Sequence, residues 1–176
     1  MAISGIGATP QPEQNNNDPI KEREERYAAS IFQRLNKNGD NQIDENDGLD
    51  NSMLKALKNL VGSTLTLENL KKVANKLPEF TYTKTAQYNG RDAQVTYNIR
   101  GQIRSVNTGA QNETEAREHM GLDKKHIVKV SDGSGWKDMP TYGREYKKDN
   151  GTEKEYFVWN PQTKSMDFEW GAWVAD

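Results

Sequence analysis

The stretch Asn36-Lys37-Asn38-Gly39-Asp40-Asn41-Gln42-Ile43-Asp44-Glu45-Asn46-Asp47 decides how the first half of the chain is read. It places oxygen-bearing side chains at nearly every other position around one apolar residue, Ile43, and it separates two runs of helical periodicity. Before it, Tyr27, Ala28, Ile31, Phe32 and Leu35 recur at the three-and-four spacing of one helix face, while Lys21, Glu22, Arg23, Glu24 and Glu25 keep the first turns polar. Asp18 and Pro19 make a natural N-cap and first-turn pair for that helix. After it, Leu49, Met53, Leu54, Leu57, Leu60 and Val61 form a second apolar stripe that stops at Gly62. The stretch is therefore expected to be a polar loop between two helices.

Further along, Leu67, Leu70, Val73, Ala74 and Leu77 follow Thr66 as an N-cap and are ended by Pro78, which completes three short helices over residues 19–77. After Pro78 the period switches towards two: Phe80 and Tyr82, then Val95, Tyr97 and Ile99, then Ile103 and Val106. Arg100-Gly101 predicts a tight hairpin. Asn112 to Met120 reads as one short helix, capped by Asn112 or Thr114 and stopped by Gly121. His126 to Val130, Tyr142 to Lys147, Glu155 to Trp159 and Ser165 to Val174 are further β-prone runs, the last two joined through Asn160-Pro161-Gln162-Thr163. The expected fold class is α+β, with an N-terminal helical unit followed by a mostly antiparallel β-sheet carrying one short helix. Residues 1–18, rich in Gly, Pro, Gln and Asn, are expected to be a flexible leader, 19–77 a helical domain and 78–176 a β-rich domain.

The segment Asn36 to Asp47 resembles the calcium loop of the EF-hand helix-loop-helix family, and the resemblance covers residues 19–77 only. That family binds Ca²⁺ through a twelve-residue loop with side chains at positions one, three, five and twelve, a backbone carbonyl at seven and a water at nine. The resemblance implies that Asn36, Asn38 and Asp40 supply the first three side-chain oxygens, Gln42 its carbonyl, Asp44 a bridging water and Asp47 the closing ligand. Ile43 falls where the family places the apolar residue of its short strand, and Phe32 and Leu35 where the incoming helix makes core contacts. Three departures are visible. Asn36 and Asn38 are neutral, which lowers the charge count and with it the affinity. Asn41 replaces the sharp-turn glycine, so it is expected to carry the left-handed turn. Asp47 replaces the usual Glu and is one methylene shorter, which favours one-oxygen contact and leaves Mg²⁺ as a competitor of Ca²⁺. The plainer reading of the same residues is an Asn- and Asp-rich loop that caps two helices and holds no metal.

Because EF-hands pack in pairs through their loop strands, Thr64-Leu65-Thr66-Leu67-Glu68-Asn69-Leu70 draws notice as the tail of a second loop without acidic ligands. It either pairs Leu65 against Ile43 as a metal-free half-site or is an ordinary interhelical turn.

Composition narrows the rest. Hydrophobic residues make up 33% and charged residues 28%, and mean hydropathy is −1.02, which describes a polar, well-solvated protein with no expected membrane span. With 176 residues the chain suffices for one medium domain or two small ones. A net charge of −2 with interspersed signs leaves no basic field for nucleic acid. The absence of cysteine excludes disulfides, thiolate metal sites and cysteine nucleophiles. The N-terminus lacks the basic and apolar stretches of a cleavable secretion signal, so the expected location is cytosolic, or secreted by an unconventional route or after signal removal.

The second half concentrates its aromatics. Trp136, Trp159, Trp170 and Trp173, with six tyrosines, either fill the core of a small sheet or expose a platform for a protein or glycan partner. Tyr156 with Val158, and Phe157 with Trp159, make both faces of one strand apolar, so one face needs cover from the Asn112 helix, the helical domain or a partner. Glu153, Glu155, Asp167 and Glu169 could form a glycosidase-like pair, although acids alternating with Phe168 and Trp170 read as a solvated strand face. His119 and His126 lack metal-ligand spacing, and His119 is expected at the surface. No nucleotide-binding loop, nucleophile elbow or zincin motif is present. The expected function is a calcium-binding interaction module in which the ion stabilises rather than senses; the alternative is a glycosidase-like hydrolase with an accessory EF-hand.

Overall fold

The computed structural model describes residues 18–176, and the expected leader, apart from Asp18, lies outside the described residues. The chain divides into two compact units, one through Glu79 and one from Phe80.

The first unit is helical. Helix α1, Pro19–Leu35, begins at Asp18, whose carboxylate accepts from the Ile20 N–H, and Pro19 occupies the first turn where its missing N–H costs nothing. It buries Ala28, Ile31 and Leu35. The polar stretch that follows ends in a single 3-10 turn, Glu45–Asp47, closed by Gly48 in the left-handed region at φ 69°. Helix α2, Asn51–Val61, starts at Asn51 rather than at Leu49: Asp50 is its N-cap, accepting from the N–H groups of Ser52 and Met53, so Gly48 and Leu49 belong to the link. Its buried face is Met53, Leu54 and Leu57, and Gly62 at φ 75° ends it.

Helix α3, Leu67–Lys72, is shorter than the sequence pattern suggests. Thr66 caps it through the Asn69 N–H, and beyond Val73 the chain tightens into a 3-10 helix, Ala74–Glu79, with Pro78 inside. An α-helix continued through Pro78 would drive the proline ring against the carbonyl of Ala74, so the geometry changes upstream of it. Between α2 and α3, Leu65 forms an antiparallel bridge with Ile43; the Ile43 N–H donates to the Leu65 carbonyl at 2.9 Å. Both side chains are buried, so the pairing of Ile43 with Leu65 is present and its apolar faces close the core of this unit.

The second unit is built on a seven-stranded antiparallel sheet in the order β1-β2-β3-β7-β6-β5-β4. The strands are β1 Thr81–Tyr88, β2 Arg91–Asn98, β3 Ile103–Asn107, β4 Lys124–Ser131, β5 Trp136–Lys148, β6 Gly151–Asn160 and β7 Ser165–Ala175. Two meanders, β1 to β3 and β4 to β7, are joined by helix α4, Glu113–Met120, and meet where β3 pairs with β7 at Val106↔Met166. The Arg100-Gly101 hairpin forms as expected, with Gly101 at φ 77°. Two more tight turns, Asn89-Gly90 and Asp149-Asn150, have positive φ at both residues, the arrangement that matches strand twist in two-residue hairpins.

The sheet is strongly curled. Tyr88 on β1 places its ring edge-on to Phe157 on β6, with centroids 6.2 Å apart, although β2, β3 and β7 lie between them. Four strand spacings in a flat sheet would span roughly 19 Å. Bulges between Thr96 and Tyr97 and between Tyr156 and Phe157 add local twist. The concave face holds the core, in which Val95, Val106, Phe157 and Met166 pack with Ala116 and Met120 of α4. The Asn112 helix is therefore what covers the Phe157 side of β6.

Candidate functional site

The loop after α1 is stitched by its own side chains. The Asn36 N–H completes the helix by donating to the Phe32 carbonyl at 2.8 Å, and its side-chain amide donates to the Asp40 carbonyl. Asn38 Oδ1 accepts from the Asp40 N–H at 3.1 Å, and Asp40 Oδ1 accepts from the Gln42 N–H at 3.0 Å. Gln42 donates its side-chain amide to Asp44 Oδ2 at 3.1 Å, while Asp44 Oδ1 caps the Asn46 N–H at 2.9 Å. Asp47 ties the two ends together, accepting from the Asn38 N–H at 3.1 Å and from the Asp44 N–H at 2.9 Å.

Asp47 is the one buried acid of the loop, 3% exposed. Burial by itself raises its carboxyl pKa, but the N–H groups of Asp44, Asn38 and Lys37, aided by the Lys37 charge, outweigh it and hold the group below the ordinary carboxylate value. The left-handed turn falls on Gly39 at φ 74° and not on Asn41, because a glycine was available two positions earlier at no steric cost.

Among the described residues no three His, Cys, Asp or Glu side chains come together as a metal-binding group, so Asp40, Asp44 and Asp47 do not converge by themselves. What the loop offers instead is mixed oxygen chemistry. Asn36 Oδ1 is buried without a hydrogen-bond donor, and an amide oxygen left this way carries a desolvation cost that a cation would relieve. A set of amide and carboxylate oxygens suits a hard divalent ion.

The four tryptophans do not share a surface. Trp159 packs against the concave core, and Trp173 opens on the same side, 48% exposed, with its Nε1 donating to the Lys148 carbonyl at 2.8 Å. Trp170 lies on the opposite face, stacked on Tyr156 at 4.3 Å and 4°, with His126 edge-on at 4.9 Å. Trp136, 75% exposed, stands at the end of the β4–β5 ribbon, opposite Ser131.

A cluster that alternation conceals lies on the concave side. Glu155 Oε2 accepts from the Tyr88 hydroxyl at 2.9 Å and from Arg144 Nε at 3.1 Å, and its Oε1 accepts from the Tyr146 hydroxyl at 3.1 Å. The Arg144 guanidinium lies over both rings, 4.1 Å from that of Tyr88 and 4.8 Å from that of Tyr146. Glu155 is thus not on a solvated face; its side chain is 15% exposed. Burial first, and then the Glu155 charge, push the Tyr88 phenol far above its ordinary pKa, and Tyr146 moves the same way for the same reasons. His119 departs from its expected surface role as well, with Nδ1 2.8 Å from the Thr108 hydroxyl and Glu115 at 3.7 Å.

The Tyr88 geometry has a measurable consequence. A phenol whose folded pKa is raised contributes stability below the unfolded value of about 10 and loses it as pH climbs above that value. Tyr88→Phe should cost about 1–2 kcal/mol at pH 7 by deleting a charge-assisted hydrogen bond, and should make the alkaline fall in urea-unfolding stability shallower. Parallel curves for the two proteins between pH 9 and pH 11 would contradict this account of Tyr88. No family model matches the chain, and no curated protein or solved structure matches it either.

Proposed function

We propose that this chain is a calcium-binding protein of one EF-hand-like site, in which residues 36–47 hold a single ion that braces α1 against α2. The β-rich unit serves as the interaction module, for a protein or a glycan partner. The observation that carries the metal reading is the buried, donorless Oδ1 of Asn36 at the first ligand position. The Ile43–Leu65 bridge supports it, since it couples the loop to a second, ligand-free turn in the manner of paired EF-hands. Asn36, Asn38, Asp40 and Asp47 would supply side-chain oxygens, Gln42 its carbonyl, and Asp44 a water-bridged contact. The ion would add positive charge at the junction and convert loop order into folding free energy by mass action.

Calorimetric titration of the demetallated protein tests this. One Ca²⁺ per chain should bind with Kd between about 10 µM and about 1 mM, as befits a loop with few charged ligands, and Mg²⁺ should compete. An unchanged melting temperature together with no heat at several millimolar Ca²⁺ would leave the loop as a helix-capping device.

A further inference from the structure

The concave face of the β unit carries a cavity of about 670 Å³, within the size range of small-ligand sites. Its floor is the fixed Tyr88, Tyr146, Arg144 and Glu155 cluster. Its walls are aromatic. Phe168 lies beneath the Arg104 guanidinium, 5.6 Å from the ring centre, and Trp173 presents a half-exposed indole held in place by its bond to the Lys148 carbonyl. A side chain at Gly151 would collide with that indole and one at Gly171 would press on Phe168, so each aromatic rests against a bare backbone position and is held at a set height.

Such a site asks for a ligand with two properties at once. A flat aliphatic face must lie on Trp173, and several hydroxyl or carboxylate groups must meet donors and acceptors whose geometry is already set. A pyranose ring has both, whereas an extended peptide would need an unpaired backbone edge, which strands β6 and β7 do not offer here because they are hydrogen-bonded to each other along this wall. Charge then narrows the class. Three cationic side chains, Arg104, Arg144 and Lys148, line the cavity against two carboxylates, Glu153 and Glu155, while the Lys154 ammonium turns to Glu145 on the opposite face. Arg144 is paired with Glu155 and Lys154 with Glu145, while among the described residues no carboxylate pairs with Arg104 or Lys148.

We infer that this cavity binds an acidic saccharide, a sugar ring bearing a carboxylate, stacked on Trp173 with its charge drawn by Arg104 and Lys148. The inference rests on the partner-binding reading of the β unit and selects the glycan among its options. It is independent of metal binding at residues 36–47.

Titration of the full chain with tetragalacturonate and, separately, with cellotetraose, read by tryptophan fluorescence and calorimetry, tests it. Tetragalacturonate should bind with Kd of about 1 mM or tighter, at least tenfold more tightly than cellotetraose, and weaken as salt rises. Arg104→Gln, at an exposed position, should erase most of the preference for the acidic sugar, and Trp173→Phe should weaken both sugars while circular dichroism shows the sheet intact. Equal binding of the two sugars would overturn the acidic class yet keep a glycan as the partner. Binding of neither at about 10 mM would overturn the inference and leave a protein as the partner. Tight binding indifferent to both substitutions would place the sugar elsewhere and overturn the site.

Discussion

Asp47→Asn should lower stability by about 2–4 kcal/mol at pH 7 and abolish Ca²⁺ uptake. The carboxylate is buried and accepts from the N–H groups of Asn38 and Asp44, so one group closes both ends of the loop. An amide in its place can accept through one oxygen only and sets its own donor against a backbone N–H, leaving a buried donor unmet. The pH dependence follows with a definite sign. Because the folded carboxyl lies below its ordinary value, its contribution is present above the unfolded pKa of about 4 and disappears as pH falls through the lower folded value. The gap between the two proteins in urea unfolding should therefore be widest near neutrality and shrink in acid. Asp47→Glu is the companion variant; its longer arm should raise Ca²⁺ affinity more than Mg²⁺ affinity. Full stability and retained Ca²⁺ binding in Asp47→Asn would remove Asp47 from both roles.

The contrast between this loop and the Glu155 cluster shows which features a sequence exposes. Residues 19–77 are governed by local rules: cap residues at Asp18, Asp50 and Thr66, apolar spacing along each helix, and an oxygen-rich stretch between two of them. Those rules act within a few residues, so the helices could be read directly, whereas the Ile43–Leu65 pairing joins positions far apart in the chain and stood open against an ordinary interhelical turn. The Glu155 site depends on the curl of the sheet, which brings Tyr88 from four strands away, and no local pattern encodes that curl. Alternation also misleads at one point. Phe168 pairs with Phe157 and Trp170 with Tyr156, so Glu169 is the extra residue of a bulge. The bulge turns Phe168 and Trp170 to opposite faces, although strict alternation would put them on the same one. On β6 itself alternation holds, and Glu153 and Glu155 share the concave face of Phe157. The Asn89-Gly90 pair, by contrast, was a local hairpin signal of the strongest kind, and the turn it makes sets Tyr88 at the end of β1.

Gly143→Val should be among the most damaging single substitutions in the β unit, costing about 3 kcal/mol or more. A Cβ at this position would run into the Glu155 carbonyl oxygen and the Tyr156 ring, both on the paired strand β6. Neither can withdraw easily. The carbonyl belongs to the β5–β6 ladder, and the ring is stacked on Trp170, edged by His126 and anchored through its hydroxyl to Glu145 Oε1 at 3.1 Å. The backbone of Gly143 is not in the left-handed region, so the demand for glycine here is one of space. Gly48 is the opposite case: its φ is 69° and a methyl group there would meet no atom within 4 Å, so Gly48→Ala should cost only the left-handed penalty of about 1–2 kcal/mol. Combining Gly143→Ala with Tyr156→Ala separates the two obstacles, since removing the ring relieves one clash and leaves the carbonyl. The double variant should therefore be less destabilised than the sum of the single ones by about 1 kcal/mol or more, measured by urea unfolding. Strict additivity, or a Gly143→Val protein as stable as Gly48→Ala, would mean that β5 and β6 can part at this point and that Tyr156 is not held over Gly143.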